Sequence, residues 1–411
     1  MCGMRTRRNN FSLIGRLPPE VISRIFSFHS IIEPITDRRI GWSTVTHVCR
    51  RWRQVALSDP NLWTTIVFGL GAEWTEEMLA RSNAALISYC RNMLFVSEAS
   101  RRSPLDDEIT LRKHLSHIQR LALRGDPESL APAVRALNTP ARHLESLKLL
   151  PWNATQSREL CITLPSDLFA HHAPKLRHVT LNDCAVPWDS PLFRGMTHLE
   201  VHIPPFRRPA PAAQSDLLSI PTLNQLLDIL EVTPSLQVLS LMNRLPRRES
   251  SSRVVPLRHV SKLSLGGYVS EVVAVLERVT LPGSALRSLS CSDHSPPDGL
   301  VDFLVSFLAS HVRAPEASIL PLSTISIYEN MFPSFTIKVW DTTSRCVDVN
   351  HTSDYPRRPG CTWILTTAAF PCESAKRFHS GIYTHFQYRS RPPVLHGQPP
   401  TGWTCPFTAL R

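Results

Sequence analysis

The apolar residues of this chain change their spacing twice. Up to Trp63 they recur at helical intervals, through residues 64–330 they recur as short triplets between turn residues, and after Asn330 the periodicity is lost. The stretch LPPEVISRIFSF sets two prolines ahead of a helix, where their fixed φ suits the first turn. Glu20 falls where the positive end of the helix dipole favours an acid. On that helix Leu17, Val21, Ile25 and Phe28 lie within about 80° of one another, and Ile22 and Phe26 form an adjacent ridge. So wide an apolar arc predicts packing on more than one side, with something else covering the second ridge. A second helix is predicted over WSTVTHVCRRWRQVALSDPNLW. Val45, Val48, Cys49, Trp52, Val55 and Ala56 share one face, Arg50, Arg51 and Arg53 lie off it, and Asp59-Pro60 ends it before the Leu62-Trp63 anchor. Residues 29–41 between the helices read as a loop or short helix. A helical unit of under about 50 residues buries little of its own surface, so it is expected to dock on a partner and on the chain that follows.

The triplet in the middle of the chain has apolar residues at its first, fourth and sixth positions. It occurs as Ile118/Leu121/Leu123, Leu144/Leu147/Leu149, Leu176/Val179/Leu181 and Met196/Leu199/Val201. It recurs as Leu236/Leu239/Leu241, Val260/Leu263/Leu265, Leu286/Leu289/Cys291 and Leu322/Ile325/Ile327, with Ala84/Ile87/Tyr89 as a degenerate first copy. LRHVTLNDC and LSTISIYEN complete the leucine-rich-repeat template with its ninth-position polar residue. Helices are predicted in the connectors at 127–137, 222–232, 270–279 and 300–311, and most connectors contain proline. The expected fold is α/β: a small helical module, then an irregular leucine-rich-repeat-like solenoid of short parallel strands with helices or loops behind, then an irregular tail. The expected segments are a basic, disordered 1–14, the module at 15–66, the repeats at 67–341 and the tail at 342–411, with one last strand at 335–340. Triplet side chains point into the core. The residues between them face the other way and form a surface suited to protein or peptide recognition. Its candidate target-binding residues are Arg120, Arg124, Lys148, His178, Asn182 and His202.

Charge and cysteine usage narrow the function classes. The net charge of +11 is not spread evenly. Ten Arg stand against four acidic residues before Thr64, nine basic against four acidic residues after Asn330, and 26 of each lie between. The neutral middle is unlike a basic groove for nucleic acid. No apolar run approaches the length of a membrane span, and the Arg-rich start lacks the apolar core of a signal peptide, leaving a mitochondrial presequence or a nuclear-import signal as its targeting options. The ten cysteines are scattered without a C-x-x-C pair, which fits a reducing cytoplasm or nucleus. The 35 prolines are accounted for as breaks between strands.

LPPEVISRIFSF followed by VTHVCRRWRQVALSDPNLW resembles an F-box, in the form common in mushroom-forming fungi. The likeness rests on the Leu-Pro opening, the Ile-Phe pair, the Val-Cys-Arg-Arg-Trp core and the Leu-Trp close. It implies a helical module that binds a Skp-family adaptor and, through it, a cullin scaffold. By the same resemblance Leu17, Pro18, Glu20, Val21, Ile25, Val48, Cys49 and Trp52 form or support the adaptor surface, and the Arg50/Arg51/Arg53 cluster steers docking to an acidic adaptor.

No catalytic constellation is found. The chain lacks a Walker A loop, GxGxxG, HExxH and a GxSxG elbow. SCSDHS at 290–295 reads as strand and turn, and Cys346 with His351, or His379 with His385, lack further metal-ligand company. The expectation is therefore a non-catalytic, cofactor-free and metal-free substrate-receptor subunit of a Skp–cullin–F-box ubiquitin ligase, with an unidentified target protein. The alternative is a nucleic-acid- or chromatin-associated protein that uses its basic ends.

Overall fold

A computed structural model describes residues 13–94, 106–152, 162–204, 220–282 and 285–291, with the backbone alone at 286 and 287. Beyond these it describes only residues 299, 303–304 and 307 and the backbone of 322–329, 335–341, 362–365 and 403–406. Residues 1–12, the SDHS part of the 290–295 string, nearly all of the helix expected at 300–311, and Cys346, His351, His379 and His385 lie outside the described residues. The fold is mixed α/β, a helical N-terminal region followed by mainly parallel strands. It divides into two compact units, residues 1–155 with 161–179 and residues 156–160 with 180–411. The division falls within the strand β5 (His178–Asn182).

The first unit opens with helices α1 (Pro19–Ile32) and α2 (Arg50–Ser58), joined through a 3₁₀ turn at Gly41–His47. The second helix is shorter than its apolar spacing predicts. Ser43, Thr44 and Thr46 turn their hydroxyls back onto the carbonyls of Ile40, Gly41 and Ser43, which tightens this stretch into a 3₁₀ turn. The chain then extends at Cys49, whose Sγ accepts from Trp52 N and caps α2. Two glycines hold the connection between the helices. Gly41 has φ +48°, and a Cβ there would collide with Pro34 O; a Cβ on Gly69 would meet Asp37 Cα at 2.5 Å. Trp63 ties the module together. Its indole donates to Ala56 O at 2.9 Å, packs edge-on to Trp42 with centroids 5.1 Å apart, and lies under the Arg81 guanidinium.

The chain passes directly from this anchor into a sheet. Strands β1 (Thr65–Ile66), β2 (Ile87–Asn92), β3 (Ile118–Gly125) and β4 (Ser146–Pro151) lie side by side and parallel. Helices α3 (Ala72–Ser82), α4 (Asp107–His114) and α5 (Pro127–Arg135) occupy the connections, as parallel pairing requires. Every triplet residue on β3 and β4 is buried, as are Ile87 and Tyr89 on β2. Ala84, expected to open the first copy, is exposed in the turn before β2.

In the second unit β6 (His198–His202), β7 (Val238–Met242), β8 (Lys262–Gly267) and β9 (Leu286–Cys291) are again parallel and in step, with Leu239 beside both Leu199 and Leu263. Helix α6 (Leu223–Glu231) starts at a capping box in which Thr222 and Gln225 satisfy each other's backbone N–H. Helix α7 (Val269–Leu276) is apolar nearly all round and buried. The parallel order then ends. Strands β10 (Leu322–Glu329) and β11 (Phe335–Asp341) are antiparallel, and β11 lies between β9 and β10. This corrects the expectation of one more parallel rung. Only residues 330–334 separate the two strands, too few for a parallel crossover but enough for a hairpin. Within the tail expected to be irregular, two short antiparallel strands are described, β12 (Thr362–Leu365) and β13 (Trp403–Pro406).

At the end of α4, His114 packs edge-on to His117, with ring centroids 5.1 Å apart. Burial pushes His114 down to about 4, helped by the charges of His117 and Lys113; burial and His143 push His117 down as well. Both imidazoles are therefore neutral in the folded chain at pH 7. Because the folded value lies below the unfolded one, the unfolded chain takes up protons first as pH falls. This stabilisation is complete above about pH 6.5 and is lost toward pH 4. For His114, allowing for the water that still reaches the ring, it amounts to about 2 kcal/mol. Thermal unfolding followed from pH 7.5 to 4 should show the midpoint fall through this window, and His114→Phe should flatten the slope. An unchanged slope in that variant would assign the pH dependence to other groups.

Candidate functional site: an open apolar ridge and a cationic sheet face

Helix α1 carries two apolar ridges, and the structure treats them oppositely. Ile22 and Phe26, each 1% exposed, face inward, and the Phe26 ring meets Trp52 edge-on at 5.2 Å. The second ridge, expected to need a cover, is covered by the chain itself. The other ridge stays open: Val21 is 43% exposed, Ile25 41%, Phe28 55% and Ile32 76%. These residues follow one another along successive helical turns, and Arg24 lays its guanidinium over Phe28. Val48 is also exposed, because the break before α2 turns it away from buried Val45, Val55 and Ala56. A contiguous apolar strip on a folded surface marks an interaction site rather than a stability device.

The strip is held firmly from below. The Arg51 guanidinium donates to the carbonyls of Gly15 and Leu17, fixing the segment that enters α1. Ser23 Oγ donates to the Asp59 carboxylate, joining α1 to the turn after α2. Arg53 donates from Nε to Thr46 O at 2.8 Å. Of the three arginines read as a steering cluster, Arg51 and Arg53 are therefore occupied in holding backbone, and Arg50 is exposed.

Residues 14–69 match the F-box-like family model. The chain carries an F-box-like domain there. No curated protein matches the chain. F-box domains generally bind Skp-family adaptors, and proteins that carry them are typically non-catalytic adaptors. Among the residues implied by resemblance, the F-box-like domain exposes Pro18, Glu20, Val21, Ile25 and Val48. Leu17, Cys49 and Trp52 are partly buried: Leu17 O is held by Arg51, Cys49 caps α2, and Trp52 joins the two helices. Phe28 and Ile32 extend the open ridge beyond the residues that the resemblance implies; the helical period already placed Phe28 with Leu17, Val21 and Ile25.

The sheet offers a second surface. In the first unit Arg120, Arg124, Lys148 and His178 are exposed. The register sets Arg120 beside Ser88 and Ser146, and Ala122 beside Cys90 and Lys148. Arg120 Nε donates to Ser88 Oγ at 2.8 Å. Ser88, Cys90 and Asn92 join this face by the alternation of β2. In the second unit Asn182 and His202 are only partly exposed, and His202 Nε2 is 2.7 Å from Ser240 Oγ. Burial pushes the His202 imidazole down, Lys262 adds to this, and Glu200 opposes it. That ring is a neutral partner of a serine rather than a charged contact. The candidate target-binding residues thus separate into Arg120, Arg124, Lys148 and His178, exposed in the first unit, and the partly exposed Asn182 and His202 in the second.

The opposite side of β2 holds a group that sequence reasoning missed. Arg91 points into the core, with Nε 2.8 Å from Asp107 Oδ1, and its guanidinium lies 4.8 Å from the Phe68 ring centroid. Tyr89 donates to the same Asp107 oxygen at 3.0 Å. This cluster ties the end of the F-box-like domain to β2 and α4. Among the described residues no three His, Cys, Asp or Glu side chains gather to hold a metal ion, and no helix is long and apolar enough to cross a membrane. Among the described residues, Cys49 and Cys90 are free thiols.

Proposed function

We propose that this chain is the substrate-receptor subunit of a Skp–cullin–F-box ubiquitin ligase acting in the cytoplasm or nucleus. The observation that carries the reading is the F-box-like domain at 14–69 with its apolar ridge left open. In this reading Val21, Ile25 and Val48, with Leu17, Pro18, Glu20, Cys49 and Trp52 forming or supporting the surface, receive the Skp-family adaptor. The region from 67 to 341 acts as a leucine-rich-repeat-like solenoid that presents the target, while 342–411 is a tail. The chain performs no chemistry. It raises the effective concentration of target lysines near a ubiquitin-charged enzyme held by the cullin arm. The buried triplets, repeated with parallel register, support the repeat reading.

The test is co-purification of the full chain with a Skp-family adaptor and a cullin. Stoichiometric capture that disappears on deletion of residues 14–69 is expected. Absence of capture, together with salt-sensitive binding to DNA or RNA that survives the deletion, would overturn the proposal in favour of a nucleic-acid protein.

A further inference from the structure

We infer that the open face of β2, β3 and β4 in the first unit binds an extended acidic segment of a protein. Its assignment to a ligase target rests on the substrate-receptor reading. Three observations support the chemistry. First, the strand sequences ISYCRN, IQRLALRG and SLKLLP contain no Asp or Glu, although the middle of the chain is neutral as a whole. Second, the two faces of this sheet handle positive charge differently. Arg91 on the inner face is paired with Asp107, whereas Arg120, Arg124 and Lys148 on the outer face are exposed, and none pairs with an acidic side chain among the described residues. A cation without a partner on a rigid strand is already placed for a ligand carboxylate.

Third, the spacing matches an extended chain. Arg120 and Arg124 stand four residues apart on β3, about 13 Å, and Lys148 lies one strand away opposite Ala122, midway between them. An extended peptide running along β3 turns alternate side chains to one side, about 6.7 Å apart. Carboxylates on its first, third and fifth residues would then reach Arg120, Lys148 and Arg124. Ala122 in the centre leaves room for the backbone, and the Ser88 hydroxyl holds Arg120 in place. At the far end of β4, Trp152 is 56% exposed and follows Leu150 in the same alternation, giving the segment an apolar stop. Three cations over so short a track suit a peptide better than nucleic acid, whose binding proteins follow a phosphate backbone with longer basic stripes.

Fluorescence anisotropy on the full chain tests this, using a labelled peptide of alternating Glu and Ser, the same peptide with Gln, and a labelled oligo-dT strand. The Glu peptide should bind, more weakly as salt is raised, and the Gln peptide should not. The triple variant Arg120→Gln, Lys148→Gln, Arg124→Gln should lose at least about tenfold in affinity, while Arg112→Gln on α4 leaves it unchanged. Failure of the Glu peptide to bind, indifference to the triple variant, or tighter binding of oligo-dT would overturn the inference. Adaptor capture by the triple variant, measured in parallel, separates the two proposals. Capture retained without peptide binding removes this surface alone, and peptide binding without capture removes the ligase reading alone.

Discussion

Glutamate at both Val21 and Ile25 should abolish adaptor capture while leaving the protein folded. Both side chains are exposed in the free chain, so the charges cost little there, and the melting temperature should move by no more than about 2 °C. In a complex the same charges would be buried against an apolar partner without a counter-ion. A penalty of about 3 kcal/mol or more corresponds to a loss of over about 100-fold in affinity. Phe26→Ala provides the contrast. It empties a site in the domain core, next to Trp52, and should destabilise the fold by about 3–5 kcal/mol. Calorimetric titration with purified adaptor, paired with thermal melts, distinguishes the two ridges. Normal binding by the Val21→Glu/Ile25→Glu variant would show that the open ridge is not the adaptor surface.

The second large effect is expected inside the sheet. Asp107→Ala removes the partner of a buried arginine and the acceptor of a buried phenol together. Stranding a buried charge in this way costs about 3–5 kcal/mol. Replacing the pair by Arg91→Met with Asp107→Leu should recover most of that loss, because the desolvation penalty leaves with the charges. Burial already raises the Asp107 carboxyl above its ordinary range in spite of Arg91, and together with the Asp107 charge it pushes the Tyr89 phenol well above its own. Since the folded carboxyl binds its proton more tightly than the unfolded one, its contribution to stability falls as pH rises through the interval just above the ordinary carboxylate range. Urea unfolding of the two variants at pH 7 measures the effect. An Asp107→Ala midpoint equal to the parent would mean that water reaches Arg91 and that the cluster is not a closed part of the core.

Much of this architecture is legible along the chain. The triplet of apolar residues at the first, fourth and sixth positions says which side chains at and just before β3, β4 and β6 to β8 face the core, and each of them does. Thr222 and Gln225 announce the start of α6. The Leu-Pro opening and the Leu-Trp close mark an F-box-like domain that matches its family model over 14–69. Other features are not legible in the same way. The face from Val45 to Ala56 satisfies a helical template, yet backbone-seeking hydroxyls and an extended Cys49 divide it. Arg91 shares the parity of Tyr89 and so must point inward. Nothing local reveals that Asp107, across an intervening segment, comes to meet it.

The sequence by itself determined where α1 runs and which side chains of the repeated strands are apolar, because both patterns follow from the geometry of neighbouring residues. It also determined that α1 has more apolar surface than one contact can cover. Only the tertiary structure decided that Ile22 and Phe26 are the covered ridge and that Val21, Ile25 and Phe28 remain open. It alone paired Arg91 with Asp107 while leaving Arg120, Arg124 and Lys148 with no acidic partner among the described residues, and it placed β11 between β9 and β10. The physical reason is common to all of these. Periodicity reports what a residue does relative to its neighbours in the chain, whereas coverage, charge pairing and strand order depend on groups that only folding brings within a few ångströms.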